Sequence, residues 1–277
     1  MTSMTPETSM DGSHVAALYH HPVKGLTPES VEHLKVLASG AVEGDRVLGL
    51  QLADAGPPVR GEWWPKDRFV TLMTTPGLAR LDARFDVESR RLRLEAGGEL
   101  LASAQLDDVS ERSALEAAAT EFVLSLDENP LAGRPERAPL RLVGDGRTPR
   151  FHDRGARQVT ILNRASVRAL TEAIGAPIDE RRFRGNVVLD GLAPWDELTW
   201  VGRDIVLGST RFRVTGPVIR CLATHADPEG GGHDLPVMQT LVRAFEQEQP
   251  TMGVLAEMRG GGGDLDVGAG LEVRAES

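Results

Sequence analysis

Hydrophobic residues along this chain come mostly in short runs that alternate with polar ones, and glycine or proline bounds each run. Residues 31–36, 46–52 and 91–94 show this pattern in the first half. Alternation with a period of two predicts strands with one buried face. Helical spacing is rare and strongest over residues 109–125. Together with 30 glycines and 17 prolines, which suit many turns, the pattern predicts a mainly β (α+β) fold with a few helices.

The second half of the chain is patterned more sharply. Residues 159–162 predict a buried strand, and Asn163 leads into a helix over 165–174 that ends before Pro177. Residues 204–207 and 212–214 predict a hairpin that leads into a strand containing Cys221. A helix over 235–245 and a last strand over 271–273 complete the predicted elements.

The linker-like composition of residues 127–139 predicts a domain boundary soon after it. That stretch is rich in proline, glycine and charge, and a second loop follows at 148–155. We therefore expect one domain over 14–145 and another over 146–277. Residues 1–13 are polar and lack an apolar core, so we expect a disordered leader there, neither a signal peptide nor an anchor.

Composition excludes some classes of function. The formal net charge of −10 over 277 residues argues against nucleic-acid binding, although it permits a locally basic pocket. No apolar run approaches the roughly 20 residues of a membrane-spanning helix, so no membrane partner is expected. A single cysteine and no export signal predict a cytoplasmic location.

Cys221 is the only cysteine, and it directly follows Arg220. One cysteine can form neither an internal disulfide nor a multi-thiolate zinc site. A neighbouring cation favours the thiolate, which is the form that binds metals or acts as a nucleophile. The competing interpretation is a small buried apolar side chain, which is the usual state of a lone cysteine.

Candidate binding residues are cations placed at turns and strand ends. Lys24 lies on a turn between Pro22 and Gly25, where a solvated lysine is the alternative. Arg184 and Asn186 are two residues apart, which puts both side chains on one side of an extended segment. The adjacent tryptophans at 63 and 64 are expected to fill a groove or an interface. His20 and His21 would point in opposite directions along a strand and make a poor metal pair.

Several motifs in order resemble the MOSC family, named after the C-terminal domain of molybdenum cofactor sulfurase. Residues 19–25 with 44–46 resemble its N-terminal β-barrel segment, and residues 183–186, 200–203, 220–224 and 227–228 resemble the MOSC domain itself. The resemblance implies an N-terminal β-barrel-like segment packed on a MOSC β-barrel. We expect the site in the cleft between them.

The same resemblance implies a molybdenum cofactor, that is molybdopterin with its nucleotide form open, with Cys221 as catalytic residue and molybdenum ligand. Thiolate is a soft donor suited to such a metal, and forked arginine donors suit a phosphate. Residues expected to bind the cofactor are Lys24, Arg46, Lys66, Asn163, Arg184, Asn186 and Arg220. Asp227 is expected to fix the loop after Cys221.

The implied function is an oxidoreductase that reduces N-hydroxylated or other N–O small molecules. A ferredoxin-like cysteine cluster is missing from the sequence, so a separate electron-donor protein is expected. Two alternatives stay open at this point. One is a sulfur carrier or sulfurtransferase with a Cys221 persulfide and no metal. The other is a non-catalytic barrel module, which scattered positions of Lys24, Arg184 and Arg220 would favour.

Overall fold

In a computed structural model of the chain, the described residues are 7–56, 65–153 and 157–274. Their strands are β1 (Glu7–His20), β2 (Val23–Lys24), β3 (Glu29–Val31), β4 (His33–Val36), β5 (Leu48–Gln51), β6 (Leu81–Asp86), β7 (Arg91–Ala96), β8 (Glu99–Gln105), β9 (Arg141–Val143), β10 (Gln158–Asn163), β11 (Val187–Asp190), β12 (Asp204–Leu207), β13 (Thr210–Ile219), β14 (Thr251–Arg259), β15 (Gly263–Asp266) and β16 (Gly270–Arg274). Their α-helices are α1 (Val109–Leu124), α2 (Arg164–Ile174) and α3 (Val237–Ala244). Short 3-10 helices include Pro76–Arg80, Glu180–Phe183 and Leu222–His225.

Seven strands close into a barrel in the order β11-β10-β14-β13-β12-β16-β1, because β1 also pairs with β11. The β1–β11 pairing is antiparallel and matches Val15 with Leu189 and Leu18 with Val187. The barrel interior is apolar, and side chains such as Phe212 and Val254 are fully buried in it. The predicted mainly β fold with a barrel and few helices is confirmed.

Strand β1 begins before the predicted strand at residues 14–18. Residues 7–13, expected to be part of a disordered leader, form the start of β1, and Glu7 pairs with Arg274 of β16. That expectation was wrong for these residues because main-chain hydrogen bonds to a neighbouring strand do not require apolar side chains. Residues 1–6 lie outside the described residues.

Strands from before residue 146 are part of the same barrel assembly as strands from after it. β1 is a barrel strand, β3 pairs with β1, and β4 pairs with β15, matching Leu34 with Leu265. The remaining N-terminal strands form two three-stranded sheets, β2-β5-β9 and β6-β7-β8, which share one apolar core with α1. Residue 145 thus divides the chain in sequence, but strands from both sides of it pair with one another.

The predicted and observed strands differ in two places, at Cys221 and at β14. Cys221 is not in a strand: β13 ends at Ile219, and Cys221 instead begins the 3-10 helix Leu222–His225. Strand β14, which lies at the middle of the barrel sheet, was not predicted. Gly253 interrupts its alternation, and it has φ 74° and lies so close to Ile161 O that a side chain would clash.

Helix α2 packs outside the barrel together with α3, over a core that includes Leu170 and Leu241. Its bounds are close to the predicted 165–174, because both ends are marked in the sequence. Asn163 caps the first turn, and Gly175 ends the helix in the left-handed conformation. None of the helices in the described ranges is both long and apolar enough to cross a membrane.

Candidate functional site

A cleft lies between the N-terminal sheets and the barrel, and it brings together six of the eight predicted site residues. The cleft contains about 1090 Å³ of atom-free space, part of it open to solvent. The predicted residues that line it are Lys24, Arg46, Lys66, Arg184, Arg220 and Cys221. They come from both halves of the chain.

The lining of this cleft is strongly cationic in an otherwise acidic protein. Among the described residues that line it, six are lysine or arginine, and only Asp153 carries a carboxylate. The whole chain has a formal net charge of −10. A concave site with one sign of charge concentrates ligands of the opposite sign. The cleft is therefore suited to an anionic ligand.

Three of these cations form a cluster, which we define as Lys24, Arg46 and Arg184. Arg46 and Arg184 both have φ 50°, a left-handed backbone that turns each out of its flanking element. The Arg46 guanidinium contacts the Asp45 carboxylate, and its Nη2 donates to Arg184 O at 3.2 Å. Arg184 Nη1 donates to Leu26 O at 2.6 Å.

Lys24 completes the cation cluster from β2 and is buried. Its Nζ donates to Phe151 O at 3.0 Å and contacts the Asp153 carboxylate. Burial lowers the pKa of Lys24, the Asp153 carboxylate opposes this, and Arg46 and Arg184 lower it further. Burial and then Arg46 likewise lower the pKa of Arg184 to about 10. The members of the cluster therefore repel one another, and a bound anion would relieve that repulsion.

Asp45 supports the cation cluster from behind and is 1% exposed. It accepts a hydrogen bond from the backbone N–H of His21 at 2.8 Å and pairs with Arg46. Its Oδ2 lies 3.3 Å from His152 Nε2. Burial alone would raise the pKa of Asp45, but Arg46 and the two imidazoles hold it well below its usual 3.8. Asp45 is consequently a permanent anion that fixes Arg46.

Cys221 lies in the same cleft lining as the cluster and is half-buried. Its carbonyl oxygen accepts hydrogen bonds from Thr224 N at 3.0 Å and from Thr224 Oγ1 at 2.9 Å. These bonds close the turn after β13 and fix the backbone that carries the thiol. The thiol is thus held on a defined turn in the cleft lining.

Arg220 lines the cleft, and its guanidinium contacts backbone carbonyls. Its Nε donates to Met252 O at 2.8 Å and its Nη1 to Phe183 O at 2.7 Å, while Nη2 also contacts Met252 O. The guanidinium carbon lies 5.4 Å from the centroid of the Phe183 ring. These contacts fasten Arg220, just after β13, to its neighbours, and its role in holding the cofactor stays a prediction.

Asn163 and Asn186 were also expected to bind the cofactor, but the structure places both away from the cleft lining. Asn163 caps α2, and its Nδ2 donates to Ala193 O and to Glu197. Asn186 accepts from Thr160 N at 3.2 Å and donates to Tyr19 O at 3.3 Å. Both side-chain amides are fully buried and make hydrogen bonds to other protein groups. The sequence does not distinguish an asparagine that makes such bonds from one that binds a ligand.

Arg182 is a site residue that the sequence analysis missed. It is buried and forms a two-pronged pair with Asp234, with both N–O distances at 2.7 Å. It also contacts Asp227 at 3.3 Å and donates to His225 O at 3.0 Å. Arg182 thereby ties down the loop after Cys221, where Asp227 accepts from Gly230 N as expected of a loop-fixing residue. The sequence offered one indication of this role, namely that Arg182 lies two residues before the predicted site residue Arg184.

The remaining expectations concern Lys66 and its neighbours. Lys66 is exposed at the edge of the cleft, and its Nζ lies 3.4 Å from Met73 Sδ. The tryptophans at 63 and 64 lie outside the described residues. Within the described ranges, no group of three or more His, Cys, Asp and Glu side chains is arranged to hold a metal ion.

Two family models match the chain and together cover most of it. The model described as "MOSC N-terminal beta barrel domain" matches residues 12–126, and the one described as "MOSC domain" matches residues 148–274. The chain belongs to the MOSC domain family. Lys24 and Arg46 lie in the first matched segment of this MOSC protein, and Arg184 and Cys221 lie in the second.

Curated relatives of this MOSC protein include molybdenum cofactor sulfurases of insects. The sulfurase of Anopheles gambiae is 29% identical over 129 residues, which are 42% of this chain and 16% of that protein. The sulfurase of Drosophila willistoni is 42% identical over 66 residues, 23% of this chain and 8% of that protein. The MOSC chain thus spans less than a fifth of the length of these relatives.

Among solved structures, the YUAD protein from Bacillus subtilis is similar over 99% of this chain and 100% of its own, with a TM-score of 0.43 and 10% identity. A likeness this distant carries no argument about the MOSC site.

Proposed function

We propose that this MOSC protein binds the molybdenum cofactor in the cleft and acts as an oxidoreductase on N-hydroxylated or other N–O small molecules. One observation carries the proposal: a half-buried thiol and a cluster of mutually repelling cations line the same cleft. Membership of the MOSC family and similarity to proteins named for the molybdenum cofactor support it.

The donor set fits such a cofactor chemically. Cys221 would supply one thiolate, which is a soft ligand for molybdenum. Lys24, Arg46 and Arg184 would hold the anionic phosphate and pterin, and each lies in the cleft lining. When bound, the cofactor would supply two-electron redox chemistry. The protein's own residues would bind it, orient it and neutralise its charge.

Two further partners follow from this function. The substrate would be a small molecule that enters through the solvent-open side of the cleft. The electrons would come from a separate electron-donor protein, because the single cysteine leaves no cysteine cluster for an internal iron–sulfur centre.

Molybdenum content measured by mass spectrometry of acid-digested protein tests the proposal. Protein made in a host that synthesises the cofactor should carry about one molybdenum per chain, since one thiolate is available as ligand. Cys221→Ser should lower molybdenum at least roughly tenfold and abolish reduction of an N-hydroxyamidine by reduced viologen, because a hydroxyl is a poor substitute for a soft thiolate. Ser209→Ala, in the β12–β13 turn, is the matched control and should keep both. Full molybdenum retention by Cys221→Ser would contradict the proposal.

A sulfur carrier or sulfurtransferase is the second candidate. The names of the relatives favour it, since they are sulfurases, and a half-buried single cysteine is accessible enough to bear a persulfide. Intact-protein mass spectrometry would separate the two functions. A gain of about 32 Da that is removed by dithiothreitol, without molybdenum, would support the carrier. The non-catalytic alternative is weakened, because Lys24, Arg184 and Arg220 converge on one cleft instead of scattering.

A further inference from the structure

His152 lies in the cleft lining, and its two ring nitrogens have different surroundings. Its side chain is 10% exposed. Nε2 lies 3.3 Å from Asp45 Oδ2, whereas Nδ1 is buried and has no hydrogen-bond partner among the described residues. The preceding residue is anchored, because Phe151 N donates to Arg46 O at 3.1 Å. The ring is therefore held beside Asp45 by its backbone.

Asp45 dictates which nitrogen of His152 carries the proton in the neutral ring. A buried carboxylate beside Nε2 favours the proton on Nε2, which leaves the lone pair on Nδ1. An imidazole oriented by a carboxylate through one nitrogen, with the other nitrogen unpaired, is the arrangement used for proton transfer in many enzymes. A buried polar atom with no partner is also costly, so its retention calls for an explanation.

We propose that His152 is the proton donor of the cleft, acting through Nδ1, and that Asp45 is its positioning residue. The inference rests on the proposed reduction of N–O compounds. In that reaction R–NH–OH takes up two electrons and two protons, the N–O bond breaks, and R–NH2 and water leave. The electron-donor protein supplies the electrons. His152 gives one proton to the departing oxygen and regains it from solvent, which also supplies the second.

Other groups in the lining are less suited to this step. Asp153 is paired with Lys24. Burial would raise the pKa of Asp153, but the positive charges of Lys24, Arg46 and Arg184 hold it below its usual value. Asp153 therefore stays ionised. Cys221 is the proposed metal ligand. Lys24 donates to Phe151 O and Asp153 and is one of the cations proposed to hold the anionic cofactor. His152 thus has the free nitrogen that the step needs.

The groups facing His152 fix the direction of its pH dependence. Burial lowers its pKa from 6.5, Asp45 opposes this, and Arg46 and Lys24 lower it further. The donor must be protonated, so kcat is expected to fall as the pH rises through a pKa below 6.5. At a pH above that value most His152 is neutral and the step slows.

His152→Gln in the molybdenum-loaded protein tests the inference. We expect unchanged molybdenum content, a kcat lowered roughly 100-fold at pH 6, and loss of the acid-favoured dependence on pH. His33→Gln is the matched control, because His33 is exposed and outside the cleft lining, and it should change neither quantity. Asp45→Asn removes the charge that raises the pKa of His152, so the fall in kcat should move to lower pH.

Each outcome of this experiment decides something. A His152→Gln protein with full molybdenum and an unchanged kcat and pH profile would overturn the inference. Loss of molybdenum from this variant would also overturn it, since His152 would then serve to retain the cofactor. A wild-type protein without molybdenum would instead overturn the proposed function on which the inference rests. Should His152→Gln fail to fold, a pH profile of Asp45→Asn that does not move would overturn the inference by itself.

Discussion

The arginines that line the cleft form two pairs that differ in burial. Arg182 and Arg220 are buried, and their guanidinium groups bind protein partners: Arg182 pairs with Asp234, and Arg220 donates to backbone carbonyls. In the cation cluster, Arg46 and Arg184 are less buried, and their charges lower the pKa of Lys24. Arg46 and Arg184 also make hydrogen bonds, so partial exposure in the lining, and not a lack of hydrogen bonds, is what leaves their charges within reach of a ligand.

The largest effect on stability should come from removing an arginine that donates to buried carbonyls. Arg220→Ala leaves the carbonyls of Met252 and Phe183 buried without their charged donor. We expect it to lower the free energy of unfolding by about 3 kcal/mol, measured by urea denaturation. Arg213→Ala is the control on the same strand, since Arg213 makes a surface ion pair with Asp204. It should cost at most about 1 kcal/mol. Equal losses would mean that the buried carbonyl contacts of Arg220 add nothing.

Asp45→Asn measures what the buried carboxylate behind the cation cluster contributes to stability, while leaving the three cations in place. The pKa of Asp45 lies well below 3.8 in the folded protein, so its stabilisation is complete above pH 3.8 and lost as the pH falls toward the folded value. We expect the variant to be less stable by about 2 kcal/mol at pH 7. The difference from wild type should shrink below pH 3.8 in urea denaturation. A difference that is constant with pH would show that the carboxylate charge is not its source.

The smallest expected effect is on anion binding. Lys24→Met removes one positive charge of the cation cluster and leaves the Asp153 carboxylate unpaired in the cleft. The first change weakens the attraction of an anion, and the second repels it. Affinity for inorganic phosphate, measured by calorimetry, should fall about tenfold, or about 1.4 kcal/mol. Lys66→Met makes the same substitution at an exposed position of the same cleft and should change the affinity less than about twofold. A larger loss from Lys66→Met would place the anion at the rim.

Part of this site could be predicted from the chain alone because its residues stand at turns and strand ends. Lys24 was marked by the adjacent Gly25, Cys221 by the adjacent Arg220 and Arg46 by the family resemblance of residues 44–46, and all three reach the cleft. The mainly β fold followed from alternation of polar and apolar residues. Asn163 carried a second signal, its place before a helix, and the cap proved to be its use.

Other features depend on contacts between distant parts of the chain, which local patterns do not encode. The direction of the Arg220 guanidinium is set by carbonyls 32 and 37 residues away. His152 matters only because Asp45, from the other half, lies beside it. Strand β14 was missed because the glycine that lets it approach β10 also breaks its alternation.

The pairing of β1 with both β11 and β16 has a consequence for synthesis on the ribosome. β1 is made first, but the strands on its two sides are made after about residue 187 and residue 270. Until then only the last residues of β1 have a partner strand, β3, and the unpaired remainder of its edges can promote association with other chains. Barrel closure must therefore wait until β16 has been made, so it depends on contacts between strands far apart in sequence, which form slowly.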